Sequence, residues 1–399
     1  MLVGDAVVEK YFSTLAQAFS GRWSAQGRTA GSLPEVAEKT LLDVELPPGV
    51  DTAAILRYAA RCAELPEQQR EDRFGQPPLI LYRADDFYIQ ALIWIEGTTA
   101  IHDHGFSGAF MVADGSSLHV KHDFDEAGDM GDDRLQFGRL RPRTPEILRP
   151  RSVQRLDPGR GFIHALFHLA MPSATIVIRD WETAGVRQYT YLGPGLAYQQ
   201  WWNDREFTRR MDSLDSLRRI DPGASWAMCS ELVTSSPCWE AFQVLRHTAS
   251  ATHYGQESQD LLGLFAQRYP DLEHLLPVAF QTLDSQRKVL IRREMLAELH
   301  HRVFLALLAN LPQPADTEAV IEQLFPGREP IDLLIEWAEE LAAPQLRGIS
   351  GMTLSSERLS ELRALPPDTR VGHLLQEIRA GWGDPTTRLA ESLYGATPP

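Results

Sequence analysis

The spacing of apolar residues predicts helices at both ends of the chain. Near the N-terminus they recur three and four positions apart, which places them on one face of a helix. The segments with this spacing are 5–19, 34–43 and 51–64, and Asp51 is suited to cap the third. The same spacing returns in residues 198–385, most clearly over 285–310. We therefore predict an N-terminal helical segment over 1–77 and a C-terminal helical domain over 198–399.

Between these helical parts the pattern changes to short apolar runs of strand length. Isoleucine, valine, leucine and aromatic residues cluster in runs such as 78–83, 87–95 and 174–180, and Gly, Pro and Asp separate the runs. This punctuation is typical of an antiparallel sandwich or barrel, which we predict over 78–197. The predicted fold class is α+β, with a β-barrel between an N-terminal helical segment and a large C-terminal all-α domain.

Composition limits the partners that the protein can have. The 399 residues correspond to two or three domains at about 150 residues each. Lys and Arg number 39 and Asp and Glu 54, and this acidic surplus argues against binding to nucleic acid or to anionic membranes. Three cysteines without a Cys-x-x-Cys pair favour a reducing compartment. No signal-peptide pattern and no apolar run of roughly 20 residues is present, so we predict a cytoplasmic protein.

Histidines concentrate in the predicted β region, where six of the 12 lie within residues 102–168. His102 and His104 follow a strand-like run, and residues two apart on a strand point to the same face, so both imidazoles can chelate one metal ion. His164 follows a Pro-Gly turn and is the natural third ligand from another strand. Three nitrogen ligands would leave coordination positions open for water, substrate or dioxygen.

The histidines and the glycines around them resemble the two sequence motifs of the cupins. The matching residues are Gly97, His102, His104 and Gly115 for the first motif, and Pro158, Gly161, His164 and His168 for the second. Among cupins, the chain most closely resembles the cysteine dioxygenase (thiol dioxygenase) family over residues 78–185. That family lacks the usual glutamate ligand and holds Fe(II) with three histidines. In this chain the glutamate position falls at Gly108 or Ala109.

This resemblance implies further site residues beside the three metal ligands. Arg83 matches the arginine that binds the substrate carboxylate in the family, and Tyr82 beside it is a further candidate. The family's Ser–His–Tyr face has no match in the strand 174–180, which offers Thr175 and Arg179 instead. An inward Arg179 would suit a second anionic group. His168, at the family's asparagine position, is a candidate hydrogen-bond partner behind the metal ligands.

Other histidines are interpreted as structural. His119 and His122 are three residues apart, so they cannot share a strand face. One of them could approach the cavity, but we expect solvated strand positions for both. Glu298-x-x-His301 is similar to half of a carboxylate-bridged di-iron motif. No second copy is present in the sequence, so we expect a solvated helix face there and a packed His300 beside it.

The sequence therefore predicts a mononuclear non-heme Fe(II) dioxygenase or oxygenase that acts on a small thiol or amino-acid-like substrate with O2. Two alternatives stay open. One is a cupin isomerase or lyase that uses a divalent metal as a Lewis acid, and the other is a non-catalytic cupin that only binds a ligand. The role of the C-terminal helices is also open, since they could form a homodimer or bind a protein partner.

Overall fold

A computed structural model describes residues 3–68, 74–95, 98–129, 131–183, 185–200, 204–252, 255–311, 313–346 and 354–381. The chain divides into two compact units. The first comprises Met1–Lys121 and Pro145–Gln188, and the second His122–Thr144 and Tyr189–Pro399. The fold class is α+β, as predicted, with an antiparallel β-barrel preceded by helices and followed by a large helical region.

The strands run from β1 to β12 along the chain. Their bounds are β1 Pro78–Arg83, β2 Tyr88–Trp94, β3 Ile101–His104, β4 Gly108–Asp114, β5 Ser117–Asp129, β6 Leu135–Pro142, β7 Glu146–Leu148, β8 Val153–Leu156, β9 Gly159–His168, β10 Ser173–Arg179, β11 Thr190–Leu192 and β12 Leu196–Tyr198. In the first unit, β1, β2, β10, β4 and β8 form an antiparallel sheet in that order. Strand β3 pairs with β9, and the start of β5 pairs with β7.

The predicted N-terminal helices are present in the first unit. They are α1 Val3–Ala25, α2 Leu33–Asp43 and α3 Thr52–Arg61. The Asp51 side chain accepts a hydrogen bond from the backbone N–H of Ala54, as expected for the cap of α3. The buried faces of these helices pack on one side of the five-stranded sheet, where Phe19 and Ile55 share a core with Ile89.

The two faces of β4 serve different cores because successive strand residues point to opposite sides. Ala109 and Met111 pack into the core beneath the helices. Phe110 and Val112 face the other way, into a cluster that includes Phe162 of β9. The sheet therefore separates a helix-covered core from the apolar surroundings of β9, the strand that carries His164.

The second unit contains the end of β5, strands β6, β11 and β12, and the remaining helices. Their bounds are α4 Arg205–Ile220, α5 Pro222–Ser235, α6 Cys238–Ala251, α7 Gln256–Arg268, α8 Leu276–Met295, α9 Leu299–Asn310, α10 Pro314–Leu324, α11 Pro330–Ala342, α12 Ser356–Arg363 and α13 Pro367–Gly381. The helical segment predicted over 285–310 is interrupted, since Leu296 is extended and α9 begins only at Leu299. None of the helices in the described residues is both long and apolar enough to cross a membrane.

Candidate metal centre

Strand pairing brings the three predicted metal ligands together. In the antiparallel pair of β3 and β9, His102 lies directly opposite His164. Side chains in opposite positions are near neighbours on one face of a sheet, and His104 lies two residues further along β3. The ligand nitrogens of the three histidines all lie within 4.8 Å of one another, and all three side chains are buried. The group could hold one metal ion.

Burial keeps the imidazoles of His102 and His104 neutral, which suits them to bind a cation. Desolvation lowers the pKa of His102 to about 4, and it lowers the pKa of His104 well below its ordinary value. Nδ1 of His102 lies 2.8 Å from the carbonyl oxygen of Ala100, an arrangement that leaves Nε2 as its ligand atom. Nδ1 of His104 is buried and makes no hydrogen bond within the part of the chain that the structure describes. A buried ring nitrogen without a hydrogen bond is suited to bind a metal ion.

Aromatic rings surround the histidine group and exclude water from it. The ring of Phe162 lies 4.6 Å from that of His164, and the ring of Phe106 lies 4.8 Å from that of His104. Phe110 adds a third ring, 6.0 Å from His164. These apolar neighbours account for the desolvation that lowers the histidine pKa values.

A hydrogen-bonded chain behind His164 was missed by the sequence analysis. Nε2 of His119 lies 2.9 Å from Nδ1 of His164, and Nδ1 of His119 lies 3.0 Å from Oε1 of Glu146. His119 and Glu146 are direct partners in the register of β5 and β7. The expectation that His119 and His122 are solvated is wrong, because both are buried. This contact depends on which strands pair, so no spacing along the sequence could have revealed His119.

Neither residue at the family's glutamate position, Gly108 or Ala109, has room for a ligand side chain directed at the histidines. A Cβ atom on Gly108 would lie 2.3 Å from the carbonyl oxygen of Ile178 on β10, so no side chain fits there without a shift of the backbone. Ala109 points into the core beneath the helices. Both positions therefore exclude a carboxylate ligand, which explains why the described ligand group contains histidines alone. Gly97, the first glycine of the predicted motif, lies outside the described residues.

The two predicted arginines lie in different surroundings. The guanidinium of Arg179 lies 3.2 Å from the centroid of the Phe106 ring and donates hydrogen bonds to the carbonyl oxygens of Asp180 and Trp181. Its positive charge contributes to the lowered pKa of His104. Arg83 is exposed and forms a salt bridge of 2.7 Å with Glu67. Of the two, Arg179 is the one that the structure brings near the histidine group.

Tyr82 and His168 are placed in packed surroundings. The Tyr82 ring stacks on Phe87, 5.7 Å away, and it belongs to the core beneath the helices. Nδ1 of His168 lies 2.9 Å from Oγ of Ser117 and 3.0 Å from Oγ of Ser173, and its ring stacks on Trp94. His168 is therefore part of a buried polar cluster with two serines. The catalytic roles of Tyr82, Arg83, Arg179 and His168 remain predictions.

Comparisons with known proteins find partial structural similarity. No family model matches the chain, and no curated protein matches it. A cupin-2 domain protein from Shewanella frigidimarina is 13% identical, with a match that covers 27% of this chain and 82% of that protein at a TM-score of 0.18. A hydroquinone 1,2-dioxygenase from Sphingomonas sp. is 15% identical, with 35% and 82% covered at a TM-score of 0.21.

A DMSP lyase from Ruegeria pomeroyi is also similar, at 15% identity, with 44% of this chain and 94% of that protein covered at a TM-score of 0.25. These two proteins are a dioxygenase and a lyase, which belong to different reaction classes.

Proposed function

We propose that the chain is a cupin-type, mononuclear Fe(II) oxygenase that uses O2 on a small anionic substrate of the thiol or amino-acid class. The observation that carries the proposal is the group of three buried histidines, His102, His104 and His164, without a carboxylate among them. When bound, Fe(II) would supply open coordination positions and reactivity towards O2. The sequence resemblance to three-histidine thiol dioxygenases supports this choice of metal.

The protein side chains would bind and orient the substrate. Three neutral imidazoles contribute no negative charge, so a site that holds a cation there attracts an anionic substrate group. Arg179, close to His104, would contact a second anionic group of the substrate and so fix its orientation. The rings of Phe106, Phe110 and Phe162 would exclude bulk water and strengthen these electrostatic contacts.

A second candidate is a divalent-metal isomerase or lyase. Neutral histidine nitrogens are also preferred ligands of Zn²⁺, which acts as a Lewis acid without O2. Turnover measured under nitrogen separates the two candidates, because only the Lewis-acid reaction persists without O2.

Elemental analysis of anaerobically purified protein tests the proposal. We expect near-stoichiometric iron in the wild type, loss of iron in His164→Ala, and retention in His274→Gln, which alters an exposed histidine of the second unit. Oxygen-uptake assays with a panel of thiols and amino acids would follow. Zinc, manganese or nickel in place of iron would favour the Lewis-acid candidate. A wild type that binds no metal after reconstitution would exclude both catalytic proposals.

A further inference from the structure

A second group of metal-ligating side chains lies in the helical part of the second unit. His300 and His301 are in the first turn of α9, and Glu340 is in the last turn of α11. Their ligand atoms lie within 4.8 Å of one another. Oε2 of Glu340 is 2.7 Å from Nε2 of His300 and 2.9 Å from Nε2 of His301. One carboxylate oxygen therefore faces two imidazole nitrogens at once.

This arrangement differs from both expectations for the segment. His301 is buried rather than on a solvated helix face, and its partner is Glu340 of another helix rather than Glu298. His300 is hydrogen-bonded, as expected of a satisfied histidine, but its side chain is about one-third exposed rather than fully packed. The group thus combines one buried ligand with two that solvent can reach, which gives an ion a path of entry.

The local charges favour a cation. Burial and the neighbouring His300 lower the pKa of His301, which keeps its imidazole neutral. Burial would raise the pKa of Glu340, but the hydrogen bonds from the two histidines outweigh it and lower the pKa. The carboxyl group is therefore ionised. Glu298 adds a second negative charge that acts on His301.

The ligand types select the class of metal. Two imidazoles and one carboxylate suit borderline divalent transition ions such as Zn²⁺, whereas Ca²⁺ and Mg²⁺ prefer oxygen ligands alone. Without an ion, the Nε2–H group of each imidazole donates a hydrogen bond to the carboxylate of Glu340. With an ion, that proton would lie on Nδ1, and all three inward atoms would become electron-pair donors.

We propose that His300, His301 and Glu340 form a second, zinc-type metal site that joins the start of α9 to the end of α11. It is separate in sequence from the three-histidine centre and independent of the proposed oxygenase reaction. An ion held there would stabilise the packing of these two helices, because binding energy available only to the folded state adds to stability.

Equilibrium dialysis of the full chain against Zn²⁺, followed by elemental analysis, tests the proposal. We expect Glu340→Gln and His300→Gln each to bind one zinc equivalent fewer than the wild type. The difference between variant and wild type is the readout, so the result does not depend on whether the three-histidine centre takes zinc. Glu339→Gln changes an exposed neighbour on the same helix and should bind as much zinc as the wild type.

A thermal unfolding series gives a second readout. Zinc should raise the melting temperature of the wild type and of Glu339→Gln in a concentration-dependent manner, with a smaller rise in Glu340→Gln. The proposal is overturned if Glu340→Gln and His300→Gln, both folded, bind as much zinc as the wild type. It is equally overturned if zinc raises the melting temperature of Glu340→Gln as much as that of the wild type and of Glu339→Gln. The cluster would then be only a set of hydrogen bonds.

Discussion

Nε2 of His119 and Nδ1 of His164 lie 2.9 Å apart and are joined by a hydrogen bond. If Nε2 of His164 binds the metal, its proton lies on Nδ1 and is donated to His119. His119 then carries its own proton on Nδ1 and donates it to Glu146. This hydrogen bond is the main reason that the pKa of Glu146 is lowered to about 2. With one tautomer of each histidine, every hydrogen bond from His164 through His119 to Glu146 has a donor and an acceptor. These bonds orient His164 towards the ion.

Removing the acceptor behind His164 should weaken metal binding. In His119→Leu, the Nδ1–H group of His164 loses its partner in a buried site, and the ring loses its fixed orientation. We expect metal affinity to fall by about 10- to 100-fold, the usual effect of losing such a partner. The measurement is a metal dissociation constant from competition with a chelator.

Two variants separate this effect from a general loss of packing. His119→Gln offers an amide oxygen as acceptor and should recover part of the affinity. Lys121→Gln removes a 3.3 Å contact to Glu146 but none of the histidine bonds, and it should bind metal like the wild type. Equal affinity in His119→Leu and the wild type would show that His119 does not support the metal ligand.

The sequence analysis grouped the three histidines that the structure brings together but missed the residues behind them, for a physical reason. Alternation along one strand places His102 and His104 on the same face, and the motif similarity adds His164. The neighbour of His164 depends on which strands pair and in what register, and a single sequence does not specify this. The sequence analysis favoured a solvated position for His119, and its contact with His164 was missed.

The two residues at the end of β1 illustrate the same limit. The register of β1 and β2 shifts between Ile80 and Tyr82, which indicates a bulge or irregularity. Such a shift changes the alternation of faces, so the direction of Tyr82 and Arg83 could not be read from their positions. The structure places Arg83 at the surface, beside Glu67 and over the Trp181 ring.

The stability of the metal-free protein should fall as the pH is lowered from about 6.5 to 4. The pKa of His102 is about 4 in the folded chain against an ordinary 6.5, so the unfolded chain binds a proton first. Over that interval the free energy of unfolding therefore decreases with falling pH. At about 1.4 kcal/mol per pKa unit, His102 alone contributes on the order of 3 kcal/mol. Denaturant titrations in chelator measure this slope.

A substitution distinguishes the contribution of His102 to this pH dependence from that of carboxylates that titrate in the same pH range. His102→Gln should show a shallower decline between pH 6.5 and 4 than the wild type. His274→Gln, which removes an exposed histidine, should follow the wild type. If all three proteins lose stability with the same slope, the buried imidazole is not the source.

Gly108→Ala should destabilise the first unit. The added methyl group would lie 2.3 Å from the carbonyl oxygen of Ile178, so β4 and β10 must separate locally. Forced overpacking of this kind costs about 1–3 kcal/mol. Gly21→Ala is the matched control, because nothing described lies within 4 Å of its added Cβ and helix propensity favours alanine by about 1 kcal/mol. A Gly108→Ala protein as stable as the wild type would contradict the steric explanation for the missing carboxylate.

A substitution of His168 tests whether this residue supports the metal ligands. In His168→Ala, the hydroxyl groups of Ser117 and Ser173 lose a buried partner, Trp94 loses its stacked ring, and a cavity remains. We expect a loss of about 2–4 kcal/mol in the free energy of unfolding. Metal content should stay at the wild-type level if the role of His168 is to join Ser117, Ser173 and Trp94 in this cluster. Each serine alone, changed to alanine, should cost about 1 kcal/mol. A folded His168→Ala protein that has lost its metal would instead make His168 a partner of the ligands, as the sequence resemblance implied.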